Sequence, residues 1–279
     1  MKRTFDRALK TVLSYAVLGL CAAVMLGPVI LMLVGSLKPD EVVLKETSSI
    51  VGLFTGKFSF ENYKDVFVRV DFGRFMLNSL FITTATVALG LVINSMAGYS
   101  FARSSWRGRD SVFALVLALM ILPFEAIAVP LFYEAVLINW RNSYQVQIVP
   151  FIANAFSIYL FYSYFLSIPR ELEEAAEMDG AGPWRTFWTI VTPNAKPAFA
   201  AVAVIMALMI WGSYLWPLMV TTEETYRPLP VAIAEFYTLP PINWGDILAF
   251  GVMMVAPVMI AFLLFQSWFV RGLASTGLK

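Results

Sequence analysis

The chain has 279 residues, a mean hydropathy of +0.73 and 14% charged residues, against about 25% in an average soluble domain, so lipid rather than a polar coat is expected to cover most of its apolar surface. A net charge of +1 gives no global field for nucleic acid, and the single cysteine, Cys21, excludes an internal disulfide. Histidine is absent, which removes the commonest catalytic base and the commonest transition-metal ligand together.

A membrane helix needs about 20 mostly apolar residues, and stretches 11–36, 76–100, 111–132, 146–166, 199–220 and 247–270 qualify. The first follows Lys2, Arg3 and Arg7, as a signal peptide would. Its apolar run is longer than a signal core and lacks a cleavage site, so it reads as a retained signal-anchor. Leu20 is too large for the position before a lipidated Cys21. Pro123 and Pro130 interrupt the third stretch, and Pro150 and Asn154 lie in the fourth. Prolines free backbone carbonyls that lipid cannot satisfy, so these two helices are expected to face protein. Glu125 is a functional candidate because a charge inside a span is costly. Lying beyond mid-membrane counted from Ser111, it is equally readable as a hydrated residue near the outer surface.

Lys and Arg concentrate in segments 1–10 and 101–110, with four and three, while the short loop around Arg141 holds one. Cytoplasmic loops carry the basic excess, so both termini are expected in the cytoplasm. The loop 167–198 then lies on the same side.

That loop contains EEAAEMDGAGPWRTFWTIVTPNAKPA at 173–198. Ser167 and Pro169 suit a helix start, and Glu171, Glu173 and Glu174 fall where the helix dipole favours negative charge. Leu172, Ala175, Ala176 and Asp179 share one face, with small side chains at its centre that permit close approach. Gly180 is placed to end the helix in a left-handed conformation. Pro183 opens a second helix in which Trp184, Phe187, Trp188 and Val191 form a helical stripe, and Pro193 and Pro197 stop it. The pattern predicts a rigid docking element: a small contact face followed by an aromatic anchor.

This loop resembles the EAA loop of permease subunits from bacterial ABC importers, whose pattern is E-A-A, three residues, G, nine residues, then I-x-L-P. Here it reads Glu174-Ala175-Ala176, Gly180 and Ile190-Val191-Thr192-Pro193, with Thr192 in place of leucine. The remainder resembles carbohydrate-importer permeases related to the maltose system. Phe101-Ala102-Arg103, Pro130-Leu131-Phe132, Trp211 to Leu218 with Gly212 where asparagine is usual, Leu229-Pro230-Val231, Asn243-Trp244-Gly245 and Arg271-Gly272-Leu273 carry the likeness.

The resemblance implies an all-α membrane protein, a single domain over 1–279 with six transmembrane helices and a cytoplasmic coupling loop between the fourth and fifth. It implies ATPase coupling through Glu174, Ala175, Ala176, Asp179, Gly180, Ile190 and Pro193, and contact with a binding protein at Asn243 and Trp244. The implied partners are a second homologous permease subunit, two ATPase subunits and an extracytoplasmic solute-binding protein, in the inner membrane. No P-loop sequence is present. ATP and Mg therefore belong to the partner ATPase, and the chain itself needs no cofactor or metal. Glu125, Trp211, Tyr214 and Trp216 are candidates for the translocation path, since aromatic faces hold sugars. The three aromatics are more readily read as anchors at the membrane interface. A glycerol-phosphate compound is the alternative to a sugar. A secondary transporter would need internal repeats and buried ion-coupling residues, and an enzyme would need more than the exposed carboxylates of 173–179.

Overall fold

The computed structural model describes residues 2–46, 49, 51–52, 55–238 and 240–276, and for residues 2–9, 46 and 265–276 the backbone alone. All regular structure among them is helical, as expected. In chain order the elements are α1 (Lys2–Gly35), α2 (Asp40–Glu46), α3 (Glu61–Arg69), α4 (Phe72–Arg103), α5 (Arg109–Leu119) and α6 (Phe124–Leu137). They continue with α7 (Tyr144–Ile148), α8 (Ala155–Ser167), α9 (Glu171–Met178), α10 (Pro183–Thr186), α11 (Lys196–Trp211), α12 (Leu215–Val220) and α13 (Trp244–Thr276). Lys2, Arg3, Arg7 and Arg271, used above for orientation or resemblance, lie outside the described side chains.

Among the described residues four segments are long and apolar enough to cross a membrane unaided: Lys10–Gly35, Phe72–Arg103, Tyr144–Ser167 and Trp244–Leu264. The number reaches six if two bent pairs each count as one span. The expected third stretch is broken: α5 and α6 meet at 102°. A proline disfavours helix in the residue before it, so α5 stops ahead of Leu122, and Pro123, extended at φ −67°, ψ 142°, precedes the first turn of α6. The expected fifth stretch also differs. Its helix α11 ends at Trp211, Gly212 to Tyr214 interrupt it, and α12 follows.

The chain divides into two compact units, 1–72 with 233–257, and 73–232 with 258–279. In the first, Lys38 is fully buried after α1. Its ammonium donates to the Gly52 carbonyl at 2.8 Å and to the Thr55 carbonyl, and lies 4.8 Å from the Phe58 ring centre. Burying a charge requires such partners. Asn62 of α3 donates to the carbonyls of Ser36 and Lys38, both at 2.8 Å. Phe250 of α13 packs edge-on against Phe72 and Phe236, with ring centres at 5.1 and 5.5 Å.

In the second unit residues spaced four apart on one face of α4 meet Met206 of α11, the turn before α8 and α8 itself. A Cβ on Gly90 would collide with Met206 Cε, and one on Gly98 would sit 2.7 Å from Phe161 Cβ. Small residues permit this close helix approach where no hydrophobic drive exists between helices. Between them Asn94 is fully buried. Its amide donates to Gly90 O at 2.7 Å and Ile152 O at 3.0 Å, while its oxygen accepts the Asn154 N–H at 2.8 Å. The fourth stretch unwinds there into a 3-10 turn, Val149–Phe151, around Pro150. Asn94 thus satisfies backbone groups that lipid would leave bare. The expectation that the two proline-broken helices face protein holds for the fourth, where α8 buries Ser157, Ile158, Phe161 and Phe165, and for half of the third: α5 buries no residue, whereas α6 buries Ala128 and packs Phe124, Leu131 and Phe132 on the cluster that holds Trp216.

Candidate functional site

The loop after α8 begins differently from the sequence expectation. Ser167 closes α8, its hydroxyl donating to Tyr164 O at 2.6 Å. Pro169 holds Ile168 extended at ψ 130°, so α9 opens only at Glu171. Glu171, Glu173 and Glu174 occupy its first turn as expected. Gly180 takes φ +79°, with Gly180 N–H donating to Glu177 O and Ala181 N–H to Ala176 O, each at 2.9 Å. These two bonds form the Schellman motif, which satisfies the last carbonyls of a helix and favours glycine at its left-handed position.

Pro183 occupies the first turn of α10, where its missing N–H costs nothing. Residues Phe187–Val191 then widen into a π-turn before the last turn, Thr192–Asn194. Pro193 supplies no amide to the carbonyl four residues back and its ring crowds it, which accounts for the widening. The segment Pro183–Asn194 meets α11 at 80°.

The predicted aromatic stripe splits in two. Phe187 and Val191 are buried in a cluster with Phe161, Phe165, Ala198 and Val202, so the anchor packs on α8 and α11. Trp184 and Trp188 point outward, at 65% and 42% exposure. On α9, Leu172, Glu174, Ala175 and Asp179 face out and Ala176 is buried. Met178 is 88% exposed. Ile190 is half-buried and Pro193 exposed.

Glu173 behaves unlike its neighbours. It is buried, with Oε1 2.7 Å from Arg103 Nε and Oε2 accepting the Tyr99 hydroxyl at 2.7 Å. The Arg103 contact is a pairing of charges rather than an aligned hydrogen bond. Arg103 also donates through Nη2 to the Ile168 carbonyl. The sequence shows Glu173 as one more carboxylate of a helix start and Arg103 as one more basic residue after a span. Nothing local pairs two residues 70 positions apart.

The candidates for the translocation path are not gathered into one site. Trp216 is 1% exposed and donates its indole N–H to Val146 O at 2.8 Å, so it is a core residue. Beside it lies a cavity of about 20 Å³ lined by Ser79, Thr83, Gln147 and Ser213 among others. That volume holds roughly one water and no sugar. Tyr214, at the break between α11 and α12, is 45% exposed, and Trp211 is half-buried. Glu125 lies exposed in the first turn of α6. In the other unit, Asn243 donates to Asp246 Oδ2 at 3.2 Å, and Asp246 is gripped by Arg69 at 2.6 Å. The adjacent Trp244 is 40% exposed, edge-on to Tyr237.

Residues 90–275 match the family of binding-protein-dependent transport system inner membrane components. The chain belongs to that family. The permease is 33% identical over 255 residues to the arabinooligosaccharides transport system permease protein AraQ of Bacillus subtilis (strain 168), covering 91% of this chain and 90% of that one. It is 31% identical to the trehalose/maltose transport system permease protein MalG of Thermococcus litoralis, over 98% and 99% of the two chains. A crystal structure of a bacterial ABC transporter involved in the import of the acidic polysaccharide alginate superposes with a TM-score of 0.85 at 25% identity, over 95% of this chain and 98% of that one. The permease is therefore a transport subunit, not an enzyme.

Proposed function

We propose that this permease is the membrane-spanning subunit of an ATP-driven importer for a sugar or oligosaccharide, and that it engages a cytoplasmic ATPase through the loop 167–198. The observation that carries the coupling role is the surface of that loop. Leu172, Met178 and Trp184 stand exposed around a Schellman turn whose other side is nailed to the core by Phe187 and Val191. Exposed apolar side chains rimmed by carboxylates mark a protein contact. A rigid turn transmits displacement where a mobile loop would absorb it.

In this reading ATP binding closes the ATPase dimer, draws the loops of this chain and a second permease subunit together and opens the cavity toward a loaded extracytoplasmic binding protein. Hydrolysis, with Mg held by the ATPase, resets the cavity inward. Both termini are cytoplasmic, and the surface at Asn243 and Trp244 meets the binding protein. The sugar class is supported by the relatives' names, which include arabinooligosaccharides and trehalose/maltose. A glycerol-phosphate substrate is the second reading, because a Yersinia pestis permease for sn-glycerol-3-phosphate is 31% identical over 74% of both chains.

The test is purification of the tagged chain from its host in mild detergent, beside Gly180→Pro. Proline cannot adopt φ +79° and has no N–H to donate to Glu177. Recovery of an ATPase and a second permease with the native loop, and loss of the ATPase with Gly180→Pro, is the expected result. Transport by the chain alone without ATP would overturn the reading in favour of a secondary transporter.

A further inference from the structure

We infer that Glu173 is not part of the surface that meets the ATPase but a positioning residue, which with Arg103 and Tyr99 fastens the first turn of α9 to the end of α4, so that displacement of α9 is delivered to α4. The inference rests on the coupling role proposed above.

Helix α9 has eight residues, too few to hold itself in place. Of these only Glu173 and Ala176 are buried. The Schellman turn at its far end is internal to the loop and ties it to nothing else. What ties the near end is a set of polar groups on α4. Arg103, the last residue of α4, reaches both the chain entering α9, at the Ile168 carbonyl, and its first turn, at Glu173. One turn earlier Tyr99 holds the second carboxylate oxygen, while its ring packs against Phe165 before the loop and Phe187 within it, with centres at 5.9 and 5.1 Å. A buried pair is weak evidence for stability, because desolvation offsets the attraction, and its best-attested use is to fix one geometry. Here the fixed geometry joins α9 to a 32-residue helix, about 48 Å long at 1.5 Å per residue. At its other end Asn78 donates to the carbonyls of Thr225 and Arg227, and Ser79 Oγ accepts the Leu229 N–H. The chain of contacts therefore runs from the loop, along α4, to segment 225–229.

The test uses the whole importer with its ATPase and binding protein, in a Cys21→Ser background. Spin labels on Leu77→Cys and Ile121→Cys, which are 67% and 83% exposed, report a distance with and without MgATP and vanadate. A separate Met178→Cys sample reports cross-linking to the ATPase. The native complex should show an ATP-driven distance change. Glu173→Gln and Tyr99→Phe should lose more than half of it while keeping the cross-link and ATP hydrolysis, and Glu171→Gln, exposed in the same first turn, should keep the full change. The double variant should lose less than the sum of the two singles, as residues of one network do. Where Glu173→Gln does not assemble, Tyr99→Phe decides, since it keeps the packed ring and removes one hydrogen bond. A full distance change in Tyr99→Phe and in any assembled Glu173→Gln, or no change in the distance between positions 77 and 121 in the native complex, would overturn the latch and leave the coupling loop standing. Absence of the Met178 cross-link in the native complex would instead overturn the coupling role itself.

Discussion

Replacing Gly98 by alanine tests the packing that brings α4 against α8. The added Cβ would lie 2.7 Å from Phe161 Cβ, 2.9 Å from Tyr162 N and 3.0 Å from Ile158 O. Carbon atoms pack best at about 3.5–4.0 Å, so the two helices must part by roughly an ångström, and a gap of that size forfeits a quarter to a half of each contact along the interface. Two of the three obstacles are backbone atoms, which cannot rotate away. Overpacking costs about 1–3 kcal/mol, and the upper end is expected here. A chain of this size loses about 2–4 °C of Tm per kcal/mol, so the fall should be roughly 6–12 °C. Thermal unfolding of the purified importer, followed by tryptophan fluorescence, measures it. Gly19→Ala, where nothing lies within 4 Å of the added Cβ, is the comparator. A Gly98→Ala melting curve indistinguishable from that of Gly19→Ala would refute the close-packing argument.

Asn94→Leu should be more damaging than its volume suggests. It strips partners from Ile152 O and Asn154 N, at about 1–3 kcal/mol per buried orphan, and Tm would show it. Trp216→Ala should behave as a core deletion costing about 3–5 kcal/mol and lower the yield of folded protein. Tyr214→Ala should leave yield and Tm unchanged, and an equal loss of both in the two variants would contradict their assigned places. Asp40, outside the spans, accepts the Gly245 N–H at 2.6 Å, yet burial pushes its carboxyl above the ordinary value. A raised acid favours the protonated folded state, so this contribution to stability is complete below the unfolded pKa and is lost as pH rises through the folded one. Asp40→Asn keeps the acceptor and should flatten that decline, read as Tm against pH in the acid range.

The parts of the fold that announce themselves in sequence are those set by local chemistry. Gly180 ends α9 because a left-handed residue is needed, and Pro183 opens α10 because its missing amide costs nothing there. Phe187 and Val191 face the core because their spacing matches a helix. What stayed hidden depends on partners distant in the chain. Glu173 looks like any carboxylate of a first turn until Arg103 and Tyr99 are beside it. Trp216 reads as a sugar-facing ring until its indole meets Val146. The breaks at 120–123 and 212–214 were half visible: Pro123 marked the first, whereas Gly212 and Ser213 carried no comparable signal. Ser167 misled because a serine can close one helix as readily as cap the next.

Met178, Trp184 and Trp188 stand bare on a loop that, in the proposed topology, faces the aqueous interior of the cell. Apolar patches left in water invite aggregation. A copy of the permease made ahead of its ATPase would expose that patch for as long as it waited. If the loop docks on an ATPase as proposed, the cell must match supply to demand, making the two polypeptides in step or degrading the surplus. Overproduction of this chain alone should accordingly yield aggregates and proteolytic fragments, and co-production of the ATPase should rescue it where extra membrane or lower temperature does not.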